Sequence, residues 1–79
     1  MSRTSGTKRH TALVAFLKKK RLQAGLTQAD VAGRIGRYQS FITDYERGQK
    51  RIDAVELVEI AEAIGFDPQA ANRRIKTIK

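Results

Sequence analysis

A helix with one polar side and one apolar side is predicted between positions 38 and 47. The side-chain directions follow from an advance of about 100° per residue. The polar side contains Gln39, Ser40, Thr43, Asp44 and Arg47. Phe41, Ile42 and Tyr45 fall on the opposite side, together with Tyr38. Such a helix packs inward through its aromatic residues and exposes hydrogen-bonding groups, and a glutamine among them can bond adenine N6 and N7.

The sequence lacks the residues that catalytic and metal-binding sites usually need. The chain contains no cysteine, and its single histidine is His10. Disulfides and cysteine-based zinc sites are therefore excluded, and a histidine-driven site is not expected. No Ser-His-Asp, paired-acid, Walker or metal-ligand arrangement is found. We expect neither an enzyme nor a bound cofactor or metal, with His10 a solvated residue of the N-terminal segment.

The charge of the chain is strongly positive and unevenly distributed. Sixteen Lys and Arg residues against eight Asp and Glu residues give a net charge of +8. No acid precedes Asp30, and all the acids lie between Asp30 and Asp67. Such an excess of positive charge indicates a polyanionic partner, either nucleic acid or an anionic membrane surface.

The 79 residues should form one domain after a basic arm. Residues 1–10 offer no apolar side chain for a core after Met1, and their composition is typical of a disordered arm. Residues 11–79 show apolar residues at helical spacing and no strand pattern. The sequence therefore predicts an all-α domain, a compact bundle of five short helices. No apolar run approaches the roughly 20 residues that cross a bilayer.

Capping residues predict where the first three helices begin and end. The first helix should begin at Thr11, and Gly25 should end it in a left-handed conformation. Thr27 should cap the second helix, which Gly36 ends. The third helix is expected over residues 38–47.

The fourth and fifth helices are predicted in the same way. Asp53 and Glu56 stand in a capping-box relation that favours a helix start at Asp53. The expected core stripe of this helix contains Leu57, Ile60, Ala61 and Ile64. The residues expected on its solvated side are Glu56, Glu59 and Glu62. Asp67 and Pro68 should open the fifth helix. Its apolar face, which belongs either to the core or to a dimer contact, contains Ala71, Ile75 and Ile78.

Several short motifs, in order, resemble the phage-repressor and Cro-like helix-turn-helix family, also called the XRE type. GLTQADVA at 25–32 leads through IG at 35–36 to QSFI at 39–42, and YERG at 45–48 and IAEAIG at 60–65 follow. The resemblance covers residues 11–68. It implies a lambda-repressor-like fold with residues 28–35 as the supporting helix and 38–47 as the recognition helix, which enters the major groove.

The resemblance also implies roles for individual side chains. Positions that contact bases correspond to Gln39, Ser40, Thr43, Tyr38 and Asp44. Positions that contact phosphates correspond to Gln28, Arg37, Arg47, Lys50, Arg51 and Lys18. Arg21 and Glu46 match a pair that forms an ion pair between the first and third helices in some members.

Two of these positions depart from the usual pattern of the family. Many members carry a small polar residue where this chain has Tyr38, which would either touch a sugar or base or cover the turn. An acid at the position of Asp44 repels phosphate unless it accepts a hydrogen bond from cytosine N4. We therefore expect Asp44 to face the DNA without contacting a base more readily than to contact one.

Together these features predict a sequence-specific regulator of double-stranded DNA in the cytoplasm, associated with a bacterial or phage nucleoid. We expect a repressor that acts as a homodimer on a roughly palindromic operator. An antitoxin whose C-terminal helices bind a protein toxin is the alternative. Membrane binding through residues 12–22 is disfavoured because the core needs the apolar face of that helix. The basic arm either has no role or folds onto DNA.

Overall fold

Five α-helices and no strand account for the regular structure of residues 7–79, the range that the computed structural model describes. The helices are α1 (Lys8–Gln23), α2 (Gln28–Ile35), α3 (Gln39–Glu46), α4 (Ala54–Ile64) and α5 (Pro68–Lys76). The predicted all-α fold is confirmed. None of these helices is long and apolar enough to span a membrane.

Side-chain caps define the starts of α2 and α4. Thr27 Oγ1 accepts from the Asp30 N–H, and the Asp30 carboxylate accepts from the Thr27 N–H. Asp53 and Glu56 form the same reciprocal pair. These bonds satisfy donors that a helix N-terminus otherwise leaves unpaired. The backbone bond from Thr27, which is the largest contribution, lowers the pKa of the Asp30 carboxyl.

The first helix begins earlier than predicted, and this corrects the boundary of the basic arm. Thr7 accepts from the His10 N–H, so Lys8, Arg9 and His10 form the first turn of α1. His10 is 5% exposed rather than solvated, and its Nε2 accepts from the Ile52 N–H. The polar composition concealed both the cap and this long-range bond. Residues 1–6, the rest of the predicted arm, lie outside the described residues.

The core lies where the apolar faces of the five helices meet. Its completely buried members are Leu17, Val31, Ile42, Tyr45, Ile60, Ala61 and Ala71. The predicted stripe of α4 is confirmed, because Leu57 and Ile64 are also buried. Ala71 belongs to the core and Ile75 packs against it. The apolar face of α5 therefore contributes to the core of the single chain.

The turn between α2 and α3 fixes the relative direction of these two helices. Gly36 ends α2 with φ of 71°, a left-handed conformation that costs glycine little. The Arg37 N–H then bonds the Ala32 carbonyl, which closes the end of the helix. Because α2 packs on both α3 and α4, the turn presents α3 on a supported base.

Candidate nucleic-acid interface

The third helix has one buried face and one accessible face. Phe41, Ile42 and Tyr45 are buried, and the rings of Phe41 and Tyr45 meet edge to face with centroids 5.6 Å apart. The accessible side contains exposed Gln39 and Ser40, half-buried Thr43 and Asp44, and exposed Arg47 just after the helix. The structure therefore turns the hydrogen-bonding side chains of α3 away from the core.

Tyr38 does not share the buried face, which corrects the sequence-based assignment. It precedes the first turn of α3, its backbone is extended, and its side chain is 87% exposed. A helical projection does not hold for a residue that lies outside the helix. Tyr38 therefore presents an accessible aromatic ring at the entrance to α3.

Gln28 connects the start of α2 to three positions of α3. Its Oε1 accepts from Thr43 Oγ1 at 2.7 Å and from Gln39 Nε2 at 3.4 Å. Its Nε2 donates to Glu46 Oε1 at 3.0 Å. The amide of Gln28 therefore restrains two of the side chains that were predicted to read bases.

Arg21 and Glu46 form the ion pair between α1 and α3 that the family resemblance implies. Arg21 Nε lies 2.7 Å from Glu46 Oε2, and Nη2 donates to Oε1 at 3.0 Å. A third bond joins Nη1 to the Leu26 carbonyl at 2.9 Å. The two side chains are only 9% and 3% exposed. The hydrogen bond to Glu46 raises the pKa of Arg21, although burial opposes this.

A second ionic cluster contains Arg37 and Lys50, two of the predicted phosphate contacts. Glu56 Oε2 lies 3.4 Å from Arg37 Nη1 and 3.5 Å from Lys50 Nζ. Arg37 also approaches Glu59, with 4.0 Å between Nη2 and Oε1. Both cations lie over the Phe41 ring, 4.4 and 5.4 Å from its centroid, where cation–π attraction operates.

This cluster corrects the assignment of Glu56 to the solvated side of α4. Glu56 is 8% exposed, whereas Glu59 and Glu62 are exposed as predicted. The capping-box spacing indicated the role of Glu56 at the helix start, but no sequence signal indicated its burial beside Arg37 and Lys50. Glu56 is the residue at this surface that sequence reasoning missed.

The remaining predicted contacts lie on two parts of the molecule. Arg47 and Arg51 are exposed around the end of α3 and in the loop that follows it. Lys18 lies on the exposed face of α1, beside Lys19 and Leu22. Within residues 7–79, no group of three or more His, Cys, Asp or Glu side chains is placed to hold a metal ion.

This geometry agrees with known proteins in sequence and in fold. A family model described as "Helix-turn-helix domain" matches residues 12–73. The XRE-family like protein from Pseudomonas syringae pv. tomato is 35% identical, with 90% of this chain and 87% of that chain covered and a TM-score of 0.83. The chain belongs to the XRE-type helix-turn-helix family of DNA-binding transcriptional regulators. In this XRE-type protein, α2 and α3 are the helix-turn-helix pair.

Two further structures resemble this XRE-type chain. The restriction-modification controller protein C.AhdI from Aeromonas hydrophila is 26% identical, with coverage of 78% and 94% and a TM-score of 0.73. The controller protein C.Esp1396I, as a tetramer with its natural 35 base-pair operator, is 20% identical, with coverage of 90% and 93% and a TM-score of 0.80. The second likeness is one of fold. No curated protein sequence matches the chain.

Proposed function

We propose that this protein is a repressor that binds a roughly palindromic operator as a homodimer, with α3 in the major groove. The observation that carries the proposal is the accessible polar face of α3, restrained from behind by Gln28. The groove is wide enough to admit a helix, and its base edges show donors and acceptors that distinguish all four base pairs.

The base contacts in this proposal come from the accessible side of α3 and from Tyr38, which precedes it. Gln39 is exposed at the first position of the helix and carries an amide that suits adenine N6 and N7. Ser40 and Thr43 supply hydroxyl groups on the same side. Tyr38 is accessible enough to reach a sugar or base, whereas Asp44 is half-buried and acts only where a cytosine N4 is available.

The phosphate contacts surround this reading surface. Arg47 and Arg51 follow the helix, and Lys18 adds a cation from α1. Gln28 Nε2 carries two hydrogens and gives one of them to Glu46, so the other suits a phosphate oxygen. Such contacts fix the register of a protein on the duplex without reading its sequence.

The homodimer follows from the small reach of one subunit. A helix of eight residues is about 12 Å long, so a single α3 contacts only a few base pairs. Two subunits related by twofold symmetry place their recognition helices about 34 Å apart in successive major grooves. The antitoxin alternative stays a prediction.

Selection from a random duplex library, followed by titration at several salt concentrations, tests the proposal. We expect one inverted repeat, bound about 10³-fold or more above a scrambled duplex. Gln39→Ala should lose about 1–3 kcal/mol of discrimination at one base pair of each half-site. Gln49→Ala is the matched control, because Gln49 is exposed in the loop after α3. Failure to recover a motif, with binding that salt abolishes on every duplex, contradicts the proposal.

A further inference from the structure

Glu56 binds the two cations that flank the recognition helix in sequence. Arg37 precedes α3 and Lys50 follows it, and both reach the same carboxylate oxygen, Glu56 Oε2. We propose that Glu56 competes with DNA phosphates for Arg37 and Lys50, and thereby limits binding to DNA of unrelated sequence. The inference rests on the proposed function, because it concerns the phosphate contacts of the same surface.

The carboxylate of Glu56 is held in place independently of the cations. Its Oε1 accepts from the Asp53 N–H at 2.9 Å, as part of the capping box that starts α4. Oε2 is then left to face Arg37 and Lys50. Because a swing of the side chain would break the cap, the acceptor stays fixed beside the two cations.

The burial of Glu56 makes it an effective competitor. Its side chain is 10% exposed, whereas those of Arg37 and Lys50 are each 38% exposed. Partly buried pairs are screened less by salt than exposed pairs are. With Glu59 4.0 Å from Arg37, two carboxylates balance the two cations, and the cluster presents no net charge to a duplex.

The Phe41 ring supports the same arrangement. Arg37 and Lys50 both lie over this ring, which α3 buries against the core. A phosphate that binds either cation must therefore weaken the interactions with Glu56 and Phe41. The cluster therefore lowers the affinity for every duplex. Only an operator has base contacts with α3 that compensate for this loss.

Glu56→Gln tests the inference because glutamine keeps the cap while removing the charge. Glutamine is a capping-box residue at this position, so α4 should retain its start. We expect tighter binding to a random-sequence duplex, with a salt dependence that steepens by about 0.9 in log–log slope for each cation that binds a phosphate. The affinity for the operator should rise by a similar factor, because the same cations face phosphates in both complexes.

Glu62→Gln is the matched control. Glu62 lies on the same helix, is exposed, and forms no ion pair with the described residues, so the substitution changes net charge equally. If both variants change the slope by the same amount, or if Glu56→Gln weakens binding to the random duplex, the inference is wrong. A circular-dichroism melt of each variant establishes that α4 remains folded.

A double variant identifies the cation through which Glu56 acts. In the Glu56→Gln background, Arg37→Gln and Lys50→Gln should each remove part of the gain in random-duplex affinity. The size of each loss shows how much of the gain depends on that cation. A gain that survives both Arg37→Gln and Lys50→Gln overturns the inference. Failure of this inference can be distinguished from failure of the proposed function. The proposed function is tested by the preference of the wild-type protein for a selected operator, which is measured first and without the variants.

Discussion

The layer formed by α1 and α5 differs sharply in charge from the segment between them. Residues 30–67 hold all eight acids and only five of the sixteen cations, so this segment is net negative although it contains α3. The other eleven cations lie in residues 1–29 and 68–79, where no acid occurs. Helices α1 and α5 pack directly on each other, which brings the cations of these two helices into one layer.

This difference separates two tasks of a DNA-binding protein. Long-range attraction to a polyanion depends on summed charge, which the layer of α1 and α5 supplies. Discrimination depends on hydrogen bonds from α3, and the acids around it reduce interactions that any duplex would satisfy. Attraction and reading should therefore respond to different substitutions.

The largest effect is expected where the two regions are joined by the buried ion pair. Arg21→Ala leaves Glu46, which is 3% exposed, with Gln28 as its remaining side-chain partner. An uncompensated buried charge of this kind costs about 3–5 kcal/mol in the free energy of unfolding. Urea denaturation followed by circular dichroism measures the loss.

Lys19→Ala is the control for that experiment. Lys19 is an exposed cation on the same helix, and its removal should change the free energy of unfolding by no more than about 0.5 kcal/mol. Equal effects of Arg21→Ala and Lys19→Ala would show that the ion pair does not stabilise the junction. The double substitution Arg21→Met with Glu46→Leu should recover most of the stability, because it leaves no unpaired charge.

An intermediate effect is expected from the cations of α1. Lys18→Gln with Lys19→Gln should weaken operator and random duplex by the same factor and flatten the salt dependence by about 0.9 for each phosphate that is no longer neutralised. The matched pair on α5, Arg73→Gln with Arg74→Gln, removes the same charge and should have less effect on the slope. Equal slopes for the two variants would instead indicate that attraction is spread over the whole layer, without a phosphate bound at Lys18.

The smallest effect is expected on the buried face of α3. The Tyr45 hydroxyl is buried and has no hydrogen-bond partner among the described residues, so Tyr45→Phe should change the free energy of unfolding at neutral pH by less than about 1 kcal/mol. Chemical denaturation measures this change. A decrease above about 2 kcal/mol would show that the hydroxyl makes a stabilising interaction in solution.

The same variant should alter the dependence of stability on pH. Burial first, and the nearby Glu46 charge second, raise the pKa of Tyr45. Above pH of about 10 the unfolded chain loses this proton while the folded chain keeps it, so the wild type loses stability as pH rises. Tyr45→Phe should reduce that loss, and chemical denaturation at a series of pH values measures it.

Local spacing predicted both ends of α2 and the start of α4, because capping is a local interaction. Thr27 and Asp53 each bond a residue three positions ahead, and Gly36 ends a helix through its own backbone conformation. Two of the residues that were misplaced depend on distant neighbours. His10 is buried by a bond to Ile52, and Glu56 is buried beside Arg37, partners that no local pattern reveals.

The candidate site shows the same limit. Helical periodicity predicted which α3 residues point outward, and the resemblance brought Arg21 and Glu46 together. Neither predicted that the cations predicted to contact phosphate, Arg37 and Lys50, are bound to a carboxylate of α4. The sequence contains the charges, but their pairing depends on how α3 packs against α4.

The hydrogen bonds of Gln28 have a consequence for attempts to redesign the operator preference. Ser40 and Asp44 bear side chains without a hydrogen bond to the rest of the described chain, so each can be exchanged alone. Gln39 and Thr43 share one acceptor, Gln28 Oε1, so replacing either residue changes the hydrogen bonds that the Gln28 amide can form. A library that varies the recognition helix should therefore vary Gln28, Gln39 and Thr43 together, as one unit of specificity.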